Sequence, residues 1–415
     1  MKSARILIVV LVSIGSVFSV TTAWAAFSWH PRLTLEEEYN DNIYLSSDNE
    51  EQDWITTVSP GISLTYDNRS LEATVDYSLR YRFYLNNDQE NIDSFDEVQR
   101  ANASALFFPE RPFTLRLTET ISSETLDQRY NYAAYNELVN SSTVYHSTIT
   151  PEYTLRFSPT FSLVLGYVYD RFDYVAPAGI DSEEHLGRVS LMKTLTPTTD
   201  VFVRYAYRVH KANVSIEEFD REDYTLGITQ RLTSRTTASV EGGYSTVEYD
   251  SGLDTNLTTL LANMTYQLSE AINFVLLYSQ DFTVTATEGL TERREASFAA
   301  NYQRESLTAA AQLYWNNADY VLQSREDEAL GVRFNLSKPL ARAVTSRFDA
   351  EYENAQYDDL ISNENVNRYI LGASLDYTYR RFLATLGYRH LMNDSDININ
   401  DYTNNIVTLT GTVRF

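Results

Sequence analysis

Strict alternation of apolar and polar residues runs through nearly the whole chain. Leu71, Ala73, Val75, Tyr77, Leu79, Tyr81, Phe83 and Leu85 share one parity, with Glu72, Thr74, Asp76, Ser78, Arg80, Arg82 and Tyr84 between them. The same rhythm returns at Phe161–Tyr169, Val201–Val209, Tyr369–Tyr379 and Phe382–Tyr388. Side chains alternate across a strand, so each of these segments has one apolar and one polar face. A helix needs apolar spacings of three and four, which these stretches lack.

The breaks between segments are equally regular. Short polar or proline-containing turns fall at Asp67–Arg69, Pro109–Pro112, Ser158–Thr160, Thr196–Thr199, Thr233–Arg235, Ser269–Ala271, Arg304–Glu305, Lys338–Arg342 and Arg380–Arg381. Longer, acidic connections alternate with them: Ser46–Asp53, Asn86–Asp93, Asp127–Asn140, Val175–Ser182, Val214–Asp220, Asp250–Asn256 and Asp358–Asn365. Strands in soluble sheets average about five or six residues. Segments of roughly twice that length, tilted, match the ~25 Å apolar band of an outer-membrane barrel with short turns at one end and longer loops at the other. Nine short turns, with one strand before the first and one after the last, predict an all-β, transmembrane, antiparallel up-and-down barrel of about 20 strands, with 18 as the alternative count.

Composition agrees. Tyrosine is abundant, at 31 residues with 19 Phe, and Tyr66, Phe83, Phe113, Phe157, Phe161, Phe348, Tyr379 and Phe382 fall near strand ends. There an apolar ring with a polar tip suits the bilayer boundary. The last strand alternates Val407, Leu409, Gly411, Val413 and Phe415 against Thr408, Thr410, Thr412 and Arg414. A terminal Phe415 in that setting is the expected assembly signal for the outer-membrane insertion machinery. At the other end, Lys2 and Arg5, an apolar run from Ile6 to Val20 and Ala23-Trp24-Ala25 form a secretory signal, cleaved after residue 25. The expected organisation is therefore a signal peptide at 1–25 and one barrel domain at 26–415, in the outer membrane of a Gram-negative bacterium beside its lipid and lipopolysaccharide.

Several chemistries are excluded. A net charge of −24 argues against nucleic acid, whose phosphates need Lys and Arg to displace counterions. Without cysteine there is no disulfide frame, thiolate nucleophile or cysteine-ligated metal. The histidines His30, His146, His185, His210 and His390 are scattered without ligand spacing. His146 and His210 have the inward parity and Ser147 adjoins the first, but no catalytic constellation is legible; no enzyme and no cofactor is expected.

Parity assigns the lumen. Inward arginines are Arg80, Arg82, Arg116, Arg156, Arg188, Arg204, Arg208, Arg231, Arg333 and Arg389. Inward acids are Glu72, Asp76, Glu152, Asp170, Asp200, Asp223, Glu241, Asp281, Asp349, Glu351 and Asp376. Arg80, Arg82, Arg204 and Arg208 could form a basic ladder that grips carboxylate or sulfate groups. Alternatively they neutralise neighbouring acids, the reading favoured by two sets that nearly balance, which leaves ion selectivity undecided. The loop acids Asp48, Glu50, Glu51, Asp53, Asp88, Glu90, Asp93, Glu217, Glu218, Asp220, Asp358, Asp359 and Glu364 are expected to be solvated, with divalent cations bridging them to lipopolysaccharide; the alternative is an electrostatic gate.

After the signal peptide the chain opens Trp29-His30-Pro31-Arg32-Leu33, continues to Tyr39-Asn40-Asp41-Asn42-Ile43-Tyr44-Leu45, then has Asp53 and Val58-Ser59-Pro60-Gly61-Ile62. This pattern resembles the outer-membrane porins found with exopolysaccharide and exosortase systems (the β-barrel porin 2 group). The specific match covers about the first 60 residues of the mature chain. The resemblance implies an integral channel that serves as exit port for a secreted polysaccharide; periplasmic polysaccharide-export components are the expected partners of such a conduit. It brings no catalytic residues and singles out Tyr39, Asp41, Asn42, Ile43 and Tyr44, of which Asp41 and Asn42 are expected to be structural.

Three functions fit. The leading one is a passive conduit for a hydrophilic polymer, with Tyr84, Arg80 and Arg82 as a track on which sugars stack. The second is a diffusion porin for small hydrophilic solutes; such porins commonly fold a long loop inward, for which Asp127–Asn140 is short. The third is a structural or adhesive barrel.

Overall fold

The computed structural model describes residues 27–127, 129, 135–214, 218–358 and 363–415; the signal peptide expected at 1–25 lies outside the described residues. Twenty antiparallel strands form one closed sheet. They begin with β1 (Phe27–Asn40), β2 (Asp53–Asp67), β3 (Leu71–Leu79, resuming as Tyr81–Tyr84), β4 (Gln99–Phe107), β5 (Phe113–Thr125), β6 (Ser141–Ser158) and β7 (Phe161–Tyr174). Next come β8 (Ser182–Thr196), β9 (Thr199–Ala212), β10 (Phe219–Thr233), β11 (Thr236–Tyr249), β12 (Asp254–Gln267), β13 (Ile272–Thr285) and β14 (Gly289–Arg304). The circuit ends with β15 (Leu307–Tyr320), β16 (Glu326–Ala341), β17 (Val344–Asp358), β18 (Asn363–Tyr379), β19 (Phe382–Ser395) and β20 (Tyr402–Arg414). β1 closes on β20 from Arg32↔Arg414 to Asn40↔Ile406.

All nine expected turns are present at one end. The other end has three connections that the sequence did not mark, at 286–288, 321–325 and 396–401. The first is a tight turn in which Gly289 supplies the positive φ (74°) that other residues rarely adopt. Register carries one facing around the whole sheet. Trp29, Leu33, Leu35, Phe113, Phe157, Phe382, Leu386 and Leu409 point outward and are exposed. Arg32, Asp76, Arg208, Glu351 and Arg389 point inward.

On the outer face, toward the long-loop end, aromatic tips bond to polar groups near them. Tyr207 Oη donates to Asp220 at 2.6 Å, Tyr224 to Glu222 at 2.8 Å, Trp315 Nε1 to Glu328 at 2.6 Å and Tyr388 to Asn405 at 2.8 Å. Each pair leaves an apolar ring on the outer face and satisfies its polar tip.

One hairpin departs from the cylinder. β12 follows β11 up to Glu248↔Asp254, and β13 follows β14 up to Thr285↔Gly289. The ladder between β12 and β13, however, stops at Leu260↔Gln280. Above that point Phe282 and Leu290, on the parity that is outward lower down, are buried against the inward residues Phe219, Val247, Tyr249 and Leu257. The upper β13–β14 hairpin, residues 281–291, has therefore curled inside the barrel and packs its outer side on the inner wall of β10–β12. Val321 and Leu322 pack on the same cluster.

Candidate functional site

Twenty strands spaced ~4.8 Å apart and tilted about 40° enclose a cylinder roughly 40 Å across, too wide for wall side chains to fill. Loops bridge it instead. The connection between β5 and β6 enters the lumen, and its described residues touch walls far apart in sequence. Glu137 meets Arg80 of β3, Arg82 at 3.8 Å and Arg100 of β4 at 3.3 Å. Asn136 Nδ2 donates to the carbonyl of Ile43 at 2.8 Å, and Leu138 packs against Ile43, Ile55 and Tyr84. Farther round, the ring of Tyr135 lies 4.3 Å from the Arg389 guanidinium, and the carbonyl of Arg129 accepts from Tyr357 Oη at 3.2 Å and from Arg368. Asp127–Asn140, short as it is, thus spans from β3–β4 to β17–β19.

The curled hairpin completes the bridge. Ile180 N donates to Ala286 O at 2.8 Å and Thr287 Oγ1 to Leu126 O at 3.1 Å. Arg325, from the β15–β16 connection, is buried among three carboxylates: Glu288 at the hairpin tip, Asp327 through Nε–Oδ1 at 2.9 Å, and Asp127 at 3.5 Å. Arg221 of β10 holds the hairpin's flank through Asp281 at 2.5 Å and the Phe282 carbonyl at 3.1 Å. Burial raises the Glu288 carboxyl, and the Arg325 charge only partly offsets this. Burial also pushes Asp127 up, but hydrogen bonds from Arg129, with the Arg129 and Arg325 charges, outweigh it and hold Asp127 below the usual Asp range.

The two shifts act in opposite directions on the latch. Glu288, raised on folding, opposes the latch while charged and stops opposing it as pH falls through its raised value. Asp127, depressed on folding, contributes above its ordinary value of ~3.9 and loses that contribution below it. The hairpin is therefore expected to stay docked through mildly acid pH and to release only below about 4. Amide exchange at 286–288 measured from pH 7 down to pH 3 checks this; release already at mildly acid pH would run against both shifts and show that neither governs the latch.

The residues singled out by parity divide between the bridge and the open wall. Glu72, Arg116 and Arg156 point inward in the short-turn half and are exposed. Asp76 is held by Arg32 in a two-point contact at 2.6 Å with Ser63 beside it. Arg204 lies 3.8 Å from Glu241, with the Phe202 ring 4.7 Å away, and Arg208 lies 3.1 Å from Glu184. Arg80 and Arg82 meet Glu36 at 3.5 Å and Glu38 at 3.3 Å in addition to Glu137. The ladder arginines are thus neutralised by carboxylates. Tyr84 is 4% exposed and Arg82 likewise, so neither presents a surface for sugar stacking; the incoming loop covers them.

The Tyr39–Tyr44 motif lies beneath this bridge. Tyr39 faces outward, with its ring centroid 5.2 Å from that of Trp54. Asp41 accepts from the backbone and side chain of Asn405 at 2.6 and 2.7 Å and so extends the closing seam beyond β1. Asn42, fully buried, donates to Ser46 O and Thr403 O at 2.8 and 3.1 Å and accepts from Ser46 N at 2.9 Å. Tyr44 Oη donates to Glu90 at 3.1 Å. Ile43 supplies the carbonyl that docks Asn136, so the motif builds the seat for the lumen loop. Asp53 is not a solvated loop acid: it is 1% exposed and accepts from the backbone N–H groups of Trp54, Leu85, Asn86 and Asn87 at 2.7–3.1 Å. Glu364 is buried likewise, bonded by Ser395 and Asn400.

Asn42→Ala should strip three hydrogen bonds from a buried turn, at roughly 1–3 kcal/mol for each group left unsatisfied. The expected result is protease sensitivity in the 41–52 connection, with the barrel still migrating as folded on unheated gels. Unchanged resistance would show that the turn does not depend on Asn42.

Phe415 is exposed, with its N–H donating to Pro31 O at 2.9 Å. His146 and Ser147 face opposite sides of the wall, His146 toward Asp170 at 3.1 Å and Ser147 toward Glu119 at 2.5 Å. Adjacent positions on a strand cannot share a site. Among the described residues no cluster of metal-ligating side chains occurs.

No family model and no curated protein matches the chain. Solved structures do. A point mutant of the ferric enterobactin receptor PfeA of Pseudomonas aeruginosa is 9% identical with a TM-score of 0.52, over 94% of this chain and 80% of that one. The FrpB iron transporter of Neisseria meningitidis (F3-3 variant) is 9% identical over 93% and 81%, with a TM-score of 0.47. Pseudomonas aeruginosa OpdK, solved with vanillate, is 10% identical over 94% and 99%, with a TM-score of 0.43. At these identities the likeness is one of fold: the chain is a large closed β-barrel, like that of the PfeA receptor.

Proposed function

We propose that the chain is an outer-membrane channel for small hydrophilic solutes, seated among lipopolysaccharide and inserted through its C-terminal Phe415 strand. The observation that carries this reading is the lumen loop: the described residues of 126–140 reach from β3–β4 to β17–β19 and narrow the passage. A polymer conduit needs an unobstructed bore, and a structural barrel has no use for cavities such as the one of about 490 Å³ between Tyr135 and the wall at Arg333, Asp349, Arg368 and Arg389. Paired Arg and carboxylate groups leave that wall near neutrality and rich in donors and acceptors, which suits hydroxyl-bearing solutes.

The polymer reading implied by the Tyr39–Tyr44 resemblance is kept in the test. A deletion strain is assayed for surface polysaccharide and for uptake of neutral sugars of increasing size, with purified protein tested by liposome swelling. Loss of sugar uptake, a size cut-off among oligosaccharides and normal polysaccharide are expected. Lost polysaccharide with normal uptake would replace the channel reading by polymer export. No swelling and no uptake defect would leave the structural barrel. Arg80→Ala/Arg82→Ala should leave polymer output unchanged.

A further inference from the structure

The curled hairpin leaves two strand edges that fit each other but do not meet. Below the split, β12 and β13 pair in a constant register from Gln267↔Asn273 to Leu260↔Gln280. Continued upward, that register sets Thr258 opposite Phe282, Asn256 opposite Val284 and Asp254 opposite Ala286. Both segments are already extended, each in a ladder with its other neighbour, β11 or β14. Swinging the hairpin outward therefore needs no refolding of either strand. It would add ladder bonds to edges that now lack them, and in outer-membrane barrels an open edge is the element otherwise eliminated.

The docked position has its own partners: the cluster of Phe219, Val247, Tyr249, Leu257, Phe282 and Leu290, the Arg325 carboxylate knot, and Arg221 on the Phe282 carbonyl that a β12 N–H would otherwise take. Two arrangements of one element, the docked one held by these side-chain partners and the outer one by ladder bonds, make a two-state device.

We propose that hairpin 281–291 is a gate: docked inside, it bridges the mouth by touching Leu126 and Ile180; zipped onto β12, it rejoins the wall and widens the passage. This rests on the channel reading above, and the test separates the two. The chain has no cysteine, so introduced pairs are unambiguous. Asn256→Cys/Val284→Cys brings together exposed positions that face each other only in the zipped state. Ile180→Cys/Ala286→Cys spans the hydrogen bond present only in the docked state, close enough for a disulfide.

In reconstituted bilayers the unmodified protein is expected to switch between two conductance levels. Oxidised 256/284 protein should stay at the higher level and oxidised 180/286 protein at the lower, both reversed by reductant. Disulfide formation is read separately by mobility on gels. Cross-linking of 256/284 without any conductance would uphold the motion and sink the channel. Conduction with no 256/284 cross-link, although both thiols react with maleimide, would overturn the gate and leave the channel standing. Unaltered conductance with the 180/286 bond formed would also overturn it.

Discussion

Glu137→Ala is expected to undock the lumen loop and raise conductance while the barrel stays folded. The Glu137 carboxylate is largely buried and is met by Arg80, Arg82 and Arg100. Breaking a buried pair from one side costs about 3–5 kcal/mol, because the partner is left uncompensated. Here the lower end applies, since Glu36 and Glu38 still face Arg80 and Arg82. At ~1.4 kcal/mol per tenfold, the docked population should fall roughly a hundredfold against the free one. Glu137→Gln keeps hydrogen-bond acceptance without the charge and should give an intermediate value. Single-channel conductance and proteolysis within 127–140 read the two consequences. Wild-type conductance with a proteolysed loop would mean that the loop does not limit flow. A loop still protected in Glu137→Ala would mean that Tyr135 and Asn136 suffice to hold it.

The barrel was legible because a strand declares its two faces twenty times over. The nine turns, the outward girdle and the inward parity of the wall arginines and acids follow from local alternation alone. The bridge was not legible for a physical reason: Glu137 finds Arg80 and Asn136 finds Ile43 across long stretches of chain, and nothing local to 127–140 records those partners. A signal did exist in the exceptions to alternation. Ile55, Tyr84, Leu391, Tyr402 and Ile406 are apolar at inward positions, where water would otherwise stand, and each lies in a cluster that loop residues cover. Phe219, Val247, Tyr249 and Leu257 are the same kind of exception and mark the bed of the curled hairpin. The hairpin itself was invisible, because Phe282, Val284 and Leu290 keep the alternation of a wall strand. Period two says that one face is apolar; whether that face meets lipid or the inside of a neighbouring sheet depends on where the ladder stops.

Arg325→Met should free the hairpin. Its guanidinium is the shared counter-charge of Glu288, Asp327 and Asp127, and it also lies 4.3 Å from the Tyr320 ring. Met keeps much of the apolar stem and removes the charge, so Glu288 and Asp327 lose their guanidinium in a largely buried site, while Asp127 keeps Arg129. Breaking one buried pair costs about 3–5 kcal/mol, and here two carboxylates lose their partner at once. They can be relieved by protonation, by a bound cation, or by departure of the one carboxylate on a movable element, Glu288. Departure requires giving up the apolar cluster under Phe282 and Leu290, worth about 1.5–3 kcal/mol for each large side chain, so the balance tips outward by a modest margin. The expected readouts are fast amide exchange at 286–288 with unchanged exchange in β6–β8, and a shift toward the higher conductance level. Arg325→Met/Glu288→Gln removes one of the crowded charges and should partly restore protection. That rescue separates an electrostatic latch from simple loss of packing, since a packing defect at Arg325 would be indifferent to the charge at 288. Protected amides in Arg325→Met itself would show that Arg221 and the apolar cluster hold the hairpin without the knot.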